Sequence, residues 1–235
     1  MAQARSISAA VEDYAKAIYA LQVEAGGPVG NNALADRLGV SAASASNMSK
    51  KLDGLGLVEH VPYRGVELTA AGRRVALEVI RHHRLLELYL TQSLGVPWDR
   101  VHDEAEVLEH HISEELEELI AKALGNPTHD PHGDPIPTRD LEMIEGPVAT
   151  LDSLEPGQHG RFMRISDSDP AMLRYLAERG ISPGDAFEVV DKQPFGGPLF
   201  VRFDGEVHVI GGQLAAAMRV ESRLPAPIGA GEDVA

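Results

Sequence analysis

Imidazole and carboxylate side chains recur at helical spacing in two stretches of this 235-residue chain: His83 with Glu87, and H-D-E-A-E-V-L-E-H-H over 102–111. On a helix, residues three, four and seven apart share a face. His102, Glu106, Glu109 and His110 therefore form one stripe, and His83 and Glu87 a second pair. Nitrogen and oxygen donors so aligned can bind a divalent metal. The chain has no cysteine, which excludes disulfides, thiolate zinc sites, iron-sulfur clusters and cysteine nucleophiles. Zinc favours closed shells of Cys and His, whereas octahedral Mn(II) and Fe(II) accept mixed oxygen and imidazole donors, so the set points to manganese or iron. The other reading of the same residues is a solvated acidic helix face with incidental histidines. His82, His111 and His129 have no helical partners of the same quality and read as surface residues.

The elements that must position these donors begin with a helix over 7–24, whose apolar stripe is Ile7, Val11, Tyr14, Ile18 and Leu21. Asp13 falls off that stripe, where a helical acid is ordinarily a solvated surface group. A short helix from Asn32 to Leu38, a tight Gly39-Val40 turn and a helix capped by Ser41 and running to about Leu55 make a helix-turn-helix pattern. The second of these helices is rich in small polar residues, as a helix laid in a major groove requires. The strand pair Leu57–Val61 and Val66–Leu68, around Pro62, Arg64 and Gly65, reads as a wing with Arg64 at its tip. The expected DNA-contacting set is Ser41, Ala43, Ser44, Ser46, Asn47, Lys50 and Arg64.

Thr69 caps a long helix toward Leu94. A helix follows over about Asp99 to Ile112, and another from Ser113 to Leu124 with the stripe Leu116, Leu119, Ile120 and Leu124. That stripe suits either a helix-helix dimer interface or packing within the chain. The segment N-P-T-H-D-P-H-G-D-P-I-P over 126–137 reads as a loop. Beyond Gly146 the texture changes to four or five short strands with one helix near Pro170 to Arg179, hence a small barrel or open sandwich. The resulting organisation is an α+β multidomain chain. It comprises a winged helix-turn-helix over 1–75, a helical metal-binding and dimerisation domain over 76–145, a small β domain over 146–224 and a disordered tail over 225–235.

The net charge of -15 would argue against a nucleic-acid partner were it spread evenly. It is not. Residues 1–75 carry 8 Lys and Arg against 7 Asp and Glu, 76–145 carry 5 against 16, and 146–235 carry 8 against 13. The acidity sits in the middle, and a nearly neutral first domain binds DNA if Lys50, Lys51, Arg64, Arg73 and Arg74 gather on one face. No apolar run approaches the roughly 20 residues of a membrane span, and the N-terminus lacks the apolar core of a signal peptide. A cytoplasmic protein with no membrane partner is expected.

The succession of a winged helix, H-H-R-L-L-E, V-P-W-D-R-V-H-D-E-A-E-V-L-E-H-H, N-P-T-H-D-P-H-G-D-P-I-P and a strand-rich domain resembles the diphtheria-toxin-repressor family of iron- and manganese-dependent regulators, over about residues 7–222. The resemblance implies an SH3-like (FeoA-like) third domain and two metal sites. The primary site would take Asp13, Glu106, Glu109 and His110. The ancillary site would take His83, Glu87 and His102, with Asp169 of the third domain and His132 of the D-P-H-G-D loop. In iron-sensing members the positions matching Asp13 and Glu106 are typically Met and Cys. Here both are carboxylates, as in manganese-sensing members, and hard donors favour Mn(II). A further carboxylate of some small manganese sensors is matched here by Lys16, so the two-site layout is implied rather than their binuclear one.

The expected function is a Mn(2+)-activated repressor that binds palindromic double-stranded DNA operators as a homodimer, its recognition helices about 34 Å apart. An Fe(2+)-dependent repressor of iron-uptake genes is the alternative. A carboxylate-bridged di-metal enzyme needs Glu-x-x-His on two helices, whereas Glu106 and His110 stand four apart with no second copy. The chain is therefore read as a regulator with no small-molecule substrate, not an enzyme.

Overall fold

The computed structural model describes residues 7–166 and 169–223. The expected disordered tail over 225–235, and Asp167 beside Asp169, lie outside the described residues. The chain forms two compact units: Met1–Leu86 with Glu104–Thr128 and Ile136–Ile144, and Glu87–Asp103 with His129–Pro135 and Glu145–Ala235.

In the first unit, α1 (Ala9–Ala25) buries Val11, Tyr14, Ala15 and Ile18 and ends at Gly26, whose left-handed conformation lets its N–H close on Gln22 O at 2.9 Å. The helix-turn-helix pair is α2 (Asn31–Leu38) and α3 (Ala42–Gly54). Ser41 caps α3, its Oγ accepting from Ser44 N at 3.1 Å. The wing is β1 (Val58–Val61) antiparallel to β2 (Gly65–Leu68). Gly65 is obligatory: at φ +116° a Cβ would lie 1.9 Å from Val29 O, in the bridge that ties Val29 to Val66. Ala45, Leu52, Leu57, Val58 and Val66 close the core of this winged helix against α1.

The long helix α4 (Ala70–Leu94) opens at Thr69, whose Oγ1 accepts from Gly72 N at 3.1 Å. α5 (Val101–Leu108) is shorter than the sequence predicts. Glu109 N still reaches Ala105 O at 2.9 Å, but His111 N turns back to Leu108 O at 2.9 Å, so Glu109 and His110 stand in the terminating turn. Ser113 then caps α6 (Glu114–Ala123). Of the stripe on α6, Ile120 is buried within the chain, while Leu116 and Leu119 are exposed, as are Val107 and Leu108 of α5.

The second unit is built on six antiparallel strands, where four or five were expected: β3 (Ala149–Thr150), β4 (His159–Ile165), β5 (Ala186–Lys192), β6 (Leu199–Phe203), β7 (Glu206–Ile210) and β8 (Met218–Arg223), in the order β3-β8-β4-β5-β6-β7. The additional strand is β3, two residues long and below any period the sequence could reveal. Alternation along β6 sends Leu199, Val201 and Phe203 inward. They pack with Phe162, Ile165, Phe187 and Val220, and with Leu173 and Leu176 of α7 (Pro170–Ala177). A short α8 (Gly212–Ala217), absent from the sequence reading, precedes β8. No helix among the described residues is long and apolar enough to cross a membrane.

Candidate metal centre

In the first unit, Asp13, Glu109 and His110 each offer a ligand atom within 4.8 Å of the others. Asp13 Oδ1 lies 2.8 Å and Glu109 Oε1 3.6 Å from His110 Nε2. The other ring nitrogen, Nδ1, is 2.6 Å from Glu12 Oε2. With Glu12 accepting the Nδ1 proton, the Nε2 lone pair points at the two carboxylates, the arrangement that orients a ligating imidazole. Burial raises the pKa of Asp13, against the pull of His110, and Glu109 and Glu106 add to the rise. A sulfur-free group of two carboxylates and one imidazole fits a divalent ion of oxygen and nitrogen preference.

Glu106 faces a different neighbour. Lys16, one turn beyond Asp13 on α1, brings Nζ to 2.5 Å from Glu106 Oε1, 2.9 Å from both Glu109 oxygens and 3.3 Å from His83 Nδ1. His83 Nδ1 in turn approaches Glu109 Oε2 at 2.5 Å. Burial disfavours the Lys16 ammonium, yet the charges of Glu109 and Glu106 outweigh it and its pKa is raised. Glu109, 1% exposed, is likewise penalised by burial, but the hydrogen bond from His83 and the charge of Lys16 leave its pKa lowered.

The second unit holds another group, Glu87, Asp130 and His132, all buried. Asp130 Oδ1 accepts from His132 N at 2.8 Å and Asp134 N at 2.9 Å, folding the loop on itself. Gly133 makes the approach possible: at φ +87° its Cβ would lie 1.9 Å from Met163 O of β4. Trp98 O accepts from His132 Nε2 at 2.7 Å, and the two rings stack 5.8 Å apart. Nδ1 therefore faces Glu87, 3.6 Å from Oε2, while His102 Nδ1 lies 3.5 Å from Glu87 Oε1. Burial lowers the pKa of His132, but Glu87, then Asp130 and the Trp98 carbonyl, carry it up to about 9. Asp169 serves as the N-cap of α7, its Oδ1 accepting from Ala171 N at 2.9 Å. Among the described residues it joins none of these groups.

One expectation fails: His82 is not a surface residue but buried. Its Nδ1 lies 3.1 Å from Glu109 O and its Nε2 3.1 Å from Glu117 Oε2. Burial would lower its pKa, but Glu117 and the Glu109 carbonyl raise it. The signal was present in Glu78, four residues earlier on α4, which with Glu114 approaches the same ring. Glu12 and Asp130 were also missed. Nothing local marks Glu12, whose partner is 98 positions away, whereas Asp130 sits two residues before His132 in the same D-P-H-G-D loop.

On α3, Ser41, Ala43, Ser44, Asn47 and Lys50 are exposed and Ser46 is half-buried. Buried Ser49 Oγ lies 3.0 Å from both Asn31 Oδ1 and Ala45 O, on the face toward α2. Arg64 is exposed in the wing turn beside fully exposed Tyr63.

Comparison with known proteins accords with this anatomy. Residues 6–66 match the N-terminal DNA-binding domain of iron-dependent repressors, 69–138 their metal-binding and dimerisation domain, and 149–222 the FeoA domain. The iron-dependent repressor IdeR of Mycobacterium leprae (strain TN) is 31% identical over 223 residues, covering 89% of this chain and 96% of the relative. The diphtheria toxin repressor of Corynebacterium efficiens is 30% identical over 221 residues, covering 89% and 94%. A solved manganese-dependent transcriptional repressor in complex with manganese superposes with a TM-score of 0.82 at 44% identity, covering 91% of this chain and 100% of that one. The chain belongs to the iron-dependent repressor, or diphtheria-toxin-repressor, family of metal-dependent transcriptional repressors, and is not an enzyme.

Proposed function

We propose that this chain is a Mn(II)-activated repressor that binds palindromic operators of manganese-homeostasis genes as a homodimer. Asp13, Glu106, Glu109 and His110 are its regulatory ligands, and Glu87, His102 and His132, joined by Asp130, form an ancillary group. The observation that carries the reading is that Asp13, on the first helix of the DNA-binding domain, meets Glu109 and His110 from the end of α5 in one sulfur-free group. A metal shared by two elements selects the arrangement in which both can ligate it, by no more than its differential affinity for that state. Hard donors at the positions of Asp13 and Glu106 favour Mn(II) over softer competitors. Val107 and Leu108 of α5 and Leu116 and Leu119 of α6 are exposed apolar side chains, and the contact with a second copy is assigned to them.

The test is fluorescence anisotropy on duplexes the protein selects from a random pool in Mn(II), at fixed salt. Asp13→Ala is expected to weaken Mn(II)-dependent DNA binding about 100-fold or more. Equal affinity with and without Mn(II) in the unaltered protein would sink the proposal. The iron-responsive reading is decided by the same titration with Fe(II) under anaerobic conditions.

A further inference from the structure

We infer that Glu78, His82 and Glu114 form a third site for a divalent transition-metal ion, a clamp between α4 and α6 that shares no ligand with the groups assigned above. Each of the three offers a ligand atom within 4.8 Å of the others, and all lie in the first unit. Glu78 and His82 stand four apart on α4 and so share a face, while Glu114 opens α6. Ligands about 2.0–2.2 Å from one ion stand about 3–4 Å from each other, so a contraction of about an ångström closes the group.

The imidazole carries the argument. His82 is 8% exposed, and its Nδ1, 3.1 Å from Glu109 O, bears a proton in that contact because a carbonyl only accepts. The neutral ring then presents its lone pair at Nε2, the arrangement that orients a ligating histidine. Nε2 is enclosed by protein and has no well-aligned hydrogen bond among the described residues, although Glu117 Oε2 stands 3.1 Å away. Burying such an atom without a partner costs stability unless something fills the position it faces. The charges around it are also unequal. Glu117 has its own cation: Arg81 Nε donates to Oε1 at 2.6 Å, and Arg81 Nη1 donates to Pro137 O at 2.7 Å. Among the described residues no lysine or arginine pairs with Glu78 or Glu114. Burial, then the Glu114 carboxyl beside it, raises the pKa of Glu78 against the pull of His82, as happens when two acids meet without a metal or fixed cation between them. Glu114 is exposed, so an ion can enter from solvent and water can complete its shell. At one set of oxygen and nitrogen donors Zn(II) binds more tightly than Mn(II), which makes Zn(II) the probe. An ion on Nε2 keeps the proton on Nδ1, and with it the hydrogen bond to the backbone of Glu109.

The experiment dialyses the full-length protein against buffered free Zn(II) just sufficient to saturate it, counts the bound ions by elemental analysis and locates them by anomalous scattering at the zinc edge. In the unaltered protein a zinc peak is expected about 2.0–2.1 Å from His82 Nε2. His82→Gln and Glu114→Gln are each expected to hold one ion fewer. Glu115→Gln, which removes the same charge from an exposed neighbour on α6, is expected to keep the full count. Asp13→Ala is expected to retain the ion at His82 whatever becomes of the first cluster, so failure of the Mn(II) reading and failure of this inference are read separately. Should His82→Gln not fold, Glu114→Gln, altered at an exposed position, decides the count. Equal zinc counts in the unaltered protein and Glu114→Gln, or zinc peaks confined to other residues, overturn the inference.

Discussion

The two donor clusters neutralise their carboxylates by different means. In the first unit the compensating charge is covalently part of the chain, the ammonium of Lys16 against Glu106 and Glu109. In the second it is a proton, held on His132 between Glu87 and Asp130 at a pKa of about 9. A lysine with a raised pKa stays charged at every physiological pH, so this compensation does not follow acidity. An imidazolium proton must leave before the ring can ligate, so a metal bound there as proposed would be captured with release of a proton. Similar carboxylate and imidazole chemistry thus gives one cluster whose compensating charge is fixed and one whose compensating charge follows pH.

The largest effect expected to separate the clusters is Glu109→Ala, which strips the buried partner from Lys16 and His83. Removing one member of a buried pair costs about 3–5 kcal/mol, read by denaturant unfolding of the metal-free protein. The clusters should also differ in the pH at which their own contribution vanishes. The pKa of Glu109 is lowered from 4.5, so its contribution is present above that value and lost as pH falls. The pKa of His132 is raised from 6.5, so its contribution is complete below that value and lost as pH rises through about 9. Denaturation curves of Glu109→Ala and His132→Ala across pH should accordingly converge on the unaltered protein from the acid and the alkaline side respectively. Convergence of both from the same side would erase the distinction drawn above.

A smaller effect concerns His110. Glu12→Gln leaves the proposed ligands in place but weakens the acceptor that orients the ring, and should lower Mn(II) affinity at the first cluster about 10–100-fold in calorimetry. The second cluster should be untouched by that change and respond instead to acidity. Below pH 9 its Mn(II) affinity should fall about tenfold per pH unit, the cost of expelling one proton. A flat profile between pH 6 and 8 would show that His132 gives up no proton to the metal.

Much of this was legible in the sequence because it is local. The winged helix announces itself through Ser41, the small polar face of α3 and the turn residues Pro62 to Gly65, each a feature of neighbouring positions. The stripe on α5 was legible as donor types at helical spacing, but not as geometry. The helix ends at Leu108, so Glu109 and His110 leave the straight stripe and Glu109 turns to His83 and Lys16. Asp13 looked like a solvated acid because its partner, His110, is distant in the chain. Glu12 was invisible for the same reason. Asp130 was passed over because its oxygen is engaged with its own loop's backbone, a role no spacing rule distinguishes from ligation. His82 read as surface because its burial depends on α6 and the Glu109 carbonyl, neither of which is near it in sequence.

The stack of Trp98 on His132 has an optical consequence. The chain contains one tryptophan, and that residue rests on the sheet core with its ring against the titrating imidazole and its carbonyl on the imidazole's Nε2. Every photon this protein emits on indole excitation therefore comes from the wall of the second cluster. Loss of the imidazolium charge, or its replacement by a paramagnetic ion, changes the environment of that single emitter. The protein carries its own fluorescent indicator for one cluster and none for the other.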